Sequence, residues 1–321
     1  MNQYYTILLW LMALGFLSTR ISSQHTEIVC GQRQKRYNYI WAILILLPLI
    51  WMVANRADAF GDTIVYRRNF QLMPDTIAGI PAYLASVTKD KGFRVLSCLI
   101  KALIGNQDKL YFAILAIIQG GAVIFVYRKY SPAFWISTFL FFASSDYVAW
   151  MYNGIRQFTA ATIIFAGAKL IYEKRYFSAI VLILFASTMH QSALIMIPII
   201  FIVQGKAFNF RTIIAFLLML LAIVFVDRFT GILSTVLEDT QYTNVVSDYV
   251  AIKDDGTNPL RVLVYSVPAI LSFIFRRRVE HAGNSFMNMC VNMAVITMGI
   301  YAVSMVTSGI FLGRLPIYTS L

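Results

Sequence analysis

Long apolar runs punctuated by short, mostly basic polar clusters make up most of this 321-residue chain, and the runs are apolar on every face, not along one stripe. A helix that is apolar all round belongs in a large core or in a bilayer. A bilayer asks for about 20 residues per crossing, fewer where helices are short or broken inside a bundle. Read on that basis, the pattern predicts about ten spans, near residues 4–19, 38–54, 110–127, 132–146, 154–172, 177–189, 191–204, 211–227, 259–275 and 286–307. The expected fold is all-α: a polytopic transmembrane helix bundle forming a single integral-membrane domain over 1–321, with outer loops at about 55–109 and 228–258. Within the first of these loops, FRVLSCLIKALI near 93–104 is amphipathic and is interrupted by Lys101, which predicts an interfacial or re-entrant helix, not a span.

The stretch 176–203 is either one tilted helix or two short arms. Parity decides between them. With two arms, the basic clusters Arg20/Arg33/Lys35/Arg36, Arg128/Lys129, Lys174/Arg175, Lys206/Arg211 and Arg276/Arg277/Arg278 all fall on one side, which the positive-inside rule makes cytosolic, with the N-terminus outside. One crossing would put the triple arginine on the wrong side. A hairpin turning at His190 is therefore expected, and its arms of about 20 Å are too short for a full bilayer, so His190 should lie in protein-lined space below the outer surface.

Composition agrees: 59% of residues are hydrophobic and 13% charged, far from the balance of a soluble domain. The net charge of +12 is confined to the short clusters between apolar runs, which argues for membrane orientation and against a nucleic-acid partner. The first run has neither a basic leader nor a small-residue cleavage pattern, so it reads as an anchor. Cys30, Cys98 and Cys290 are scattered and suggest no disulfide framework or metal cluster. Metal-ligand spacings, phosphate-cradling glycine loops and a Ser-His-Asp signature are all missing, so neither a metal nor a cofactor is expected.

On this topology the unusual polar residues gather on the outer side. Arg56, Asp58, Asp62, Tyr66, Arg67 and Arg68 follow the second span, Asp146, Asn153, Arg156 and Gln157 lie between the fourth and fifth, His190 caps the hairpin, and Arg314 follows the tenth. Asn153, Arg156, Gln157 and Ala160 are spaced to share one helix face. Two readings stay open for Arg156: a side chain that snorkels to headgroups while the amides glue helices, or an anion site in which the guanidinium fork grips phosphate oxygens and the amides complete the coordination. Arg67 and Arg68 allow the same pair of readings. His190 is either a satisfied structural histidine or a proton acceptor for a lipid-bound substrate. The loop at 228–258 is net acidic and so is no simple anion trap.

At these residues the chain resembles the EpsG-type branch of the Wzy-like polymerases of bacterial O-antigen, capsule and exopolysaccharide. The resemblance is carried by R-x-x-x-x-G-D-x-x-x-Y (Arg56, Gly61, Asp62, Tyr66), N-G-I-R-Q-x-x-A (Asn153 to Ala160), H-x-S-A (His190, Ser192, Ala193) and a late G-R before an aromatic (Gly313, Arg314, Tyr318). It implies an enzyme of the bacterial cytoplasmic membrane that transfers a growing glycan from polyprenyl diphosphate to a lipid-linked repeat unit at the outer face. The partners implied are the polyprenyl-diphosphate-linked oligosaccharide, membrane lipids, and a flippase and chain-length regulator of the same pathway. Catalytic roles would fall to Arg156, His190, Asp62 and Arg314, and substrate binding to Arg56, Tyr66, Arg67, Arg68, Asn153, Gln157 and Tyr318. A flippase for lipid-linked sugars and a membrane ligase or acyltransferase are the alternatives. Family members commonly continue through further spans after the late arginine, so a C-terminally truncated chain is also an open alternative.

Overall fold

The computed structural model describes residues 2–21, 24–225 and 256–321, so most of the expected outer loop at 228–258 lies outside the described residues. The chain is largely helical and divides into two compact units, Met1–Gly167 with Leu184–Ala193, and Ala168–Ile183 with Leu194–Leu321.

The first unit opens with α1 (Asn2–Arg20), a hairpin of β1 (Gln24–Val29) and β2 (Gln32–Tyr37), and α2 (Tyr39–Ala54). The expectation of an all-α chain is corrected here. Cys30 and Gly31 both adopt positive φ, the two-residue turn whose twist suits adjacent antiparallel strands, and His25 pairs with Arg36 across the ladder. What pins the hairpin is Arg128, at 0% exposure, near the end of α6 (Asp108–Tyr130). Its Nε donates to the Tyr37 carbonyl at 2.7 Å and its two Nη atoms to the Glu27 carboxylate at 2.5 and 3.2 Å, while the guanidinium lies 3.8 Å from the centre of the Tyr39 ring. A residue read from the sequence as a membrane-side charge is thus also a buried tie.

Between α2 and α6 come α3 (Thr63–Gln71), α4 (Ile80–Ala85) and α5 (Lys91–Ile104). The amphipathic helix was expected near 93–104 and is there, and Lys101, which interrupts its apolar run, is buried in the protein at 2% exposure. Its ammonium caps the end of α3 by donating to the carbonyls of Gln71 and Met73 at 2.7 and 2.6 Å, with Asp75 3.2 Å away. The unit continues with α7 (Phe134–Ala143), α8 (Ser145–Trp150) and α9 (Ile155–Ala166). Helix α6 is its spine, packing against α2, α7 and α9. A Cβ on Gly120 would lie 2.9 Å from Leu49, so the missing side chain sets how closely α2 approaches. Gln119 joins α6 to α9 by donating to the Ile155 carbonyl and the Thr159 hydroxyl.

The rest of the chain supplies α10 (Ala168–Tyr172), α11 (Tyr176–Met189), α12 (Met196–Ile202), α13 (Phe210–Val224), α14 (Pro259–Ile274), α15 (Arg276–Ala282), α16 (Ser285–Met305) and α17 (Ile317–Ser320). In the second unit α16 packs on α13 and α14. Buried Asn292 ties the segment after α12 to α16, donating to the carbonyls of Val203 and Lys206 and accepting from the Phe208 amide. The rings of Tyr176 and Phe201 stack with centroids 4.8 Å apart. An unbroken helix would separate them by about 37 Å, so the chain reverses between Met189 and Met196, at the break expected at His190.

Among the described residues, two helices are long and apolar enough to cross a bilayer alone, α6 and α16, and α14 with α15 forms a pair bent by 72°. Several of the remaining apolar helices fall short of the predicted spans. The span expected at 132–146 stops at Ala143, and the one expected at 154–172 is interrupted at Gly167. Many large apolar side chains face outward, Leu47, Trp51, Leu140, Leu218, Val264 and Phe273 among them, as lipid-facing residues do.

Candidate functional site

The loop after α2 and the turn before α9 are built against each other. Gly61 has φ +57°, and a Cβ there would lie 2.7 Å from Asn153 Oδ1, the same atom that accepts the Asp62 amide at 3.0 Å. Gly154 follows in the left-handed region, packed under the Trp150 ring. The G-D and N-G pairs are therefore two halves of one latch. Asn153 also lies outside the helix, which begins at Ile155, so the face predicted from spacing divides: Asn153 holds the loop, Gln157 and Ala160 are buried, and Arg156 stays partly exposed.

Arg156 reaches across to Asp90, Nη1 to Oδ2 at 2.5 Å, with side-chain exposures of 34% and 3%. The Tyr66 hydroxyl of α3 also bonds Arg156. Asp90 has φ +53°, uncommon for a residue with a Cβ, at the turn into α5. Its Oδ1 is buried without a hydrogen-bond partner, the Gln191 amide donates to the carboxylate, and Arg94, one helical turn along α5, acts on it electrostatically. Burial pushes the Asp90 carboxyl above the usual aspartate range, against the opposing pull of Arg156 and Arg94. Gly92 brings this turn close to the chain just before His190, since a Cβ there would collide with Thr188. His190 itself holds Ser192 Oγ at 2.7 Å from Nδ1.

Tyr66, Asp90, Arg94, Arg156 and Gln191 therefore form one cluster, with His190 next in sequence to Gln191. Two cations against one anion leave one net positive charge on Arg94, Arg156 and Asp90. Sequence reasoning missed Asp90 and Arg94. The signal available was an acid at the start of an amphipathic helix with an arginine one turn later on it.

The other expected site residues are differently placed. Arg67 is paired with Asp58 and lies 2.5 Å from Asp108, so its charge is already met, whereas Arg68 is exposed. Asp62 is exposed, with its amide held by Asn153. Arg56, 6% exposed, stacks 3.5 Å over the Phe112 ring and near Tyr152, and donates from Nη1 to the Met151 carbonyl at 2.9 Å. Burial pulls its guanidinium down to about 10. Arg314 and Tyr318 belong to the second unit. Arg314 is exposed on the short turn Leu312–Arg314, Tyr318 is buried, and Gly313 is needed because a Cβ would lie 2.5 Å from Thr257 Oγ1. Among the described residues no group of three or more His, Cys, Asp or Glu side chains is placed to hold a metal ion.

A family model, that of the EpsG family, matches residues 38–321. No curated protein and no solved structure matches the chain.

Proposed function

Since the chain belongs to the EpsG family, a Wzy-like polymerase-type family, and carries helices fit for a membrane, we propose that it joins polyprenyl-diphosphate-linked repeat units at the outer face of the bacterial cytoplasmic membrane. In this reading the N-terminus is outside, and a flippase and a chain-length regulator act beside it. One observation carries the proposal: a partly exposed guanidinium, Arg156, is held by a buried carboxylate and a tyrosine within a cluster that keeps a net positive charge.

The chemistry follows from that charge. A sugar hydroxyl of one lipid-linked unit attacks the anomeric carbon of the other, the bond from that carbon to the diphosphate oxygen breaks, and the diphosphate leaves as an anion with the polyprenyl chain. Negative charge grows on the leaving oxygen as the bond breaks, so a guanidinium fixed beside it stabilises the transition state more than the ground state. Arg156, assisted by Arg94, takes this role, and Asp90 orients Arg156. His190 or Asp62 accepts the hydroxyl proton. Arg314 is assigned to the diphosphate by family resemblance alone. Because Arg67 is engaged by two carboxylates, Arg68 is the better auxiliary phosphate contact of the pair.

The test is polymer length in cells carrying Arg156→Lys or Arg156→Ala at normal protein levels. Lysine keeps the charge but loses the planar fork, so both variants should accumulate single repeat units on lipid, alanine more severely. Full-length polymer from both would overturn the assignment. For His190→Ala, unchanged turnover would move the proton acceptor to Asp62.

A further inference from the structure

The second unit carries a patch of exposed cations where α14 ends and α13 begins. Helix α14 turns apolar side chains outward along its length, Leu263, Val267 and Ile274 among them, and at Phe275 the chain bends by 72° into α15. The bend lays Arg276, Arg277 and Arg278 across the direction of α14, all three exposed. Val279 is buried, so Arg277, about 160° from it around the helix, faces away from the protein. The rings of Phe208 and Phe273 lie 5.7 Å apart, which sets the turn into α13, with exposed Lys206 and Arg211, beside the end of α14.

These five cations make no ion pair among the described residues. Three arginines against the one acid of α15, Glu280, leave that helix at +2 with His281 neutral. Arg276 and Arg278 lie over the rings of Phe273 and Phe275, 5.6 and 5.2 Å from their centres. A ring face attracts a guanidinium without supplying an oxygen acceptor for its N–H groups. Both rings are themselves exposed. Along the chain, then, outward apolar side chains give way to exposed aromatic rings and then to arginines. A bilayer changes in the same order, from hydrocarbon to interface to phosphate. With 16 residues α14 is about 24 Å long, close to the depth of a hydrocarbon core, so a helix that starts near one edge of it stops near the other.

We propose that α15 and the turn into α13 form a docking surface for the headgroups of anionic phospholipids in the leaflet where α14 ends, the cytosolic one in the topology expected from the basic clusters. The arginines meet the phosphates, and Phe273 and Phe275 sit at the hydrocarbon edge. An acidic segment of a soluble protein would match the charge but not the exposed rings beside it. These lipids are neither donor nor acceptor in the polymerase reading, and the surface shares no residue with the Asp90–Arg156 cluster, so either inference stands if the other fails.

The test is crosslinking of the full chain in nanodiscs of equal parts phosphatidylglycerol and phosphatidylcholine, each lipid supplied in turn with a photoactivatable group at the top of one acyl chain. Relative to adducts on the apolar stretch 260–271, adducts on residues 273–282 should favour phosphatidylglycerol by at least about fivefold, the worth of one basic residue at an anionic surface. The triple variant Arg276→Gln, Arg277→Gln, Arg278→Gln should cut this preference at least about threefold, and the matching lysine triple should keep it, because an anionic surface reads charge. Arg277→Gln alone should cut it about twofold and covers the case in which the triple variant does not fold. Loss of the preference in high salt supports the proposal. A ratio near one in the natural chain, a preference that survives glutamine substitution, or one abolished by soluble decaglutamate overturns it, the last by pointing to an acidic protein segment as the occupant.

Discussion

Removing Arg156 strands the Asp90 carboxylate, and the structure sets how much that costs. Asp90 is 3% exposed, whereas Arg156 is 34% exposed, so the two halves of the pair are not equally dependent on each other. With Arg156→Ala the carboxylate keeps Arg94 and the Gln191 amide but loses its 2.5 Å partner. Breaking a buried pair from one side typically costs about 3–5 kcal/mol. Protonation provides a ceiling: neutralising an ordinary aspartate of pKa about 3.9 costs about 4.2 kcal/mol at pH 7 and about 2.2 at pH 5.5, at 1.36 kcal/mol per unit. The Arg156→Ala deficit should therefore be about 2–4 kcal/mol at pH 7 and shrink as the pH falls. Asp90→Asn should cost less, about 1 kcal/mol, because the arginine it releases can turn to water. The double variant should lie close to Asp90→Asn alone, giving a coupling of about 2–4 kcal/mol in magnitude, at the upper end for contacting residues. The assay is unfolding of the purified protein in detergent at pH 7 and pH 5.5 for the four members of the cycle. Additive losses in the double variant, or an Arg156→Ala deficit independent of pH, would refute the reasoning.

Three further outcomes follow from the first unit. Arg128 holds the Glu27 carboxyl below its usual range, chiefly through its hydrogen bond. A depressed carboxyl contributes stability that is complete above the ordinary glutamate range, near 4.3, and is lost as pH falls through the lower folded value. Glu27→Gln should thus lower the unfolding midpoint at neutral pH, and its gap from the natural chain should begin to narrow below about pH 4.3 and close only as the pH falls through the lower folded value. Gly61→Ala meets both a positive φ and the Asn153 amide, and should cost about 1–2 kcal/mol in the same unfolding assay. Asn153→Ala should lose about 1 kcal/mol through its bond to the Asp62 amide, and Gly61→Ala should become milder in that background as the clash disappears.

The apolar pattern made the helices legible, together with the reversal at His190, because hydrophobic length and the side on which basic residues fall both follow from transfer out of water. It overstated the length of two of them, since Gly167 and Ser144 break helices that composition alone would have continued. The two-residue turn at Cys30 and Gly31 went unread, because the strands around it are polar and carry no alternating apolar face. In the site, Arg156 and the G-D and N-G pairs stood out as polar residues in apolar surroundings. Asp90 did not, since its importance comes from Arg156, Arg94 and Gln191, which meet it only in three dimensions. The burial of Lys101 was not legible for the same reason. Its partners, the carbonyls of Gln71 and Met73 around the end of α3 and the Asp75 carboxylate, meet it only in three dimensions.

On the polymerase reading, the Asp90–Arg156 pair bears on how a phosphate site could stand next to hydrocarbon at all. An arginine with no companion there is expensive to keep, and a carboxylate supplies one at the cost of competing with whatever comes to bind. On the polymerase reading, that competition discriminates. A neutral glycan gains nothing by approaching Arg156, because it must displace a charge-assisted bond and offers a weaker one. A diphosphate brings more charge and more acceptor oxygens than one carboxylate, so it can recruit Arg156 and leave Asp90 to Arg94 and the Gln191 amide. The transition state gains most, since its leaving oxygen carries charge that the bound substrate has not yet developed. Asp90 then belongs to the site for two reasons, as the group that lets Arg156 stand folded and as the reference against which an incoming anion is measured.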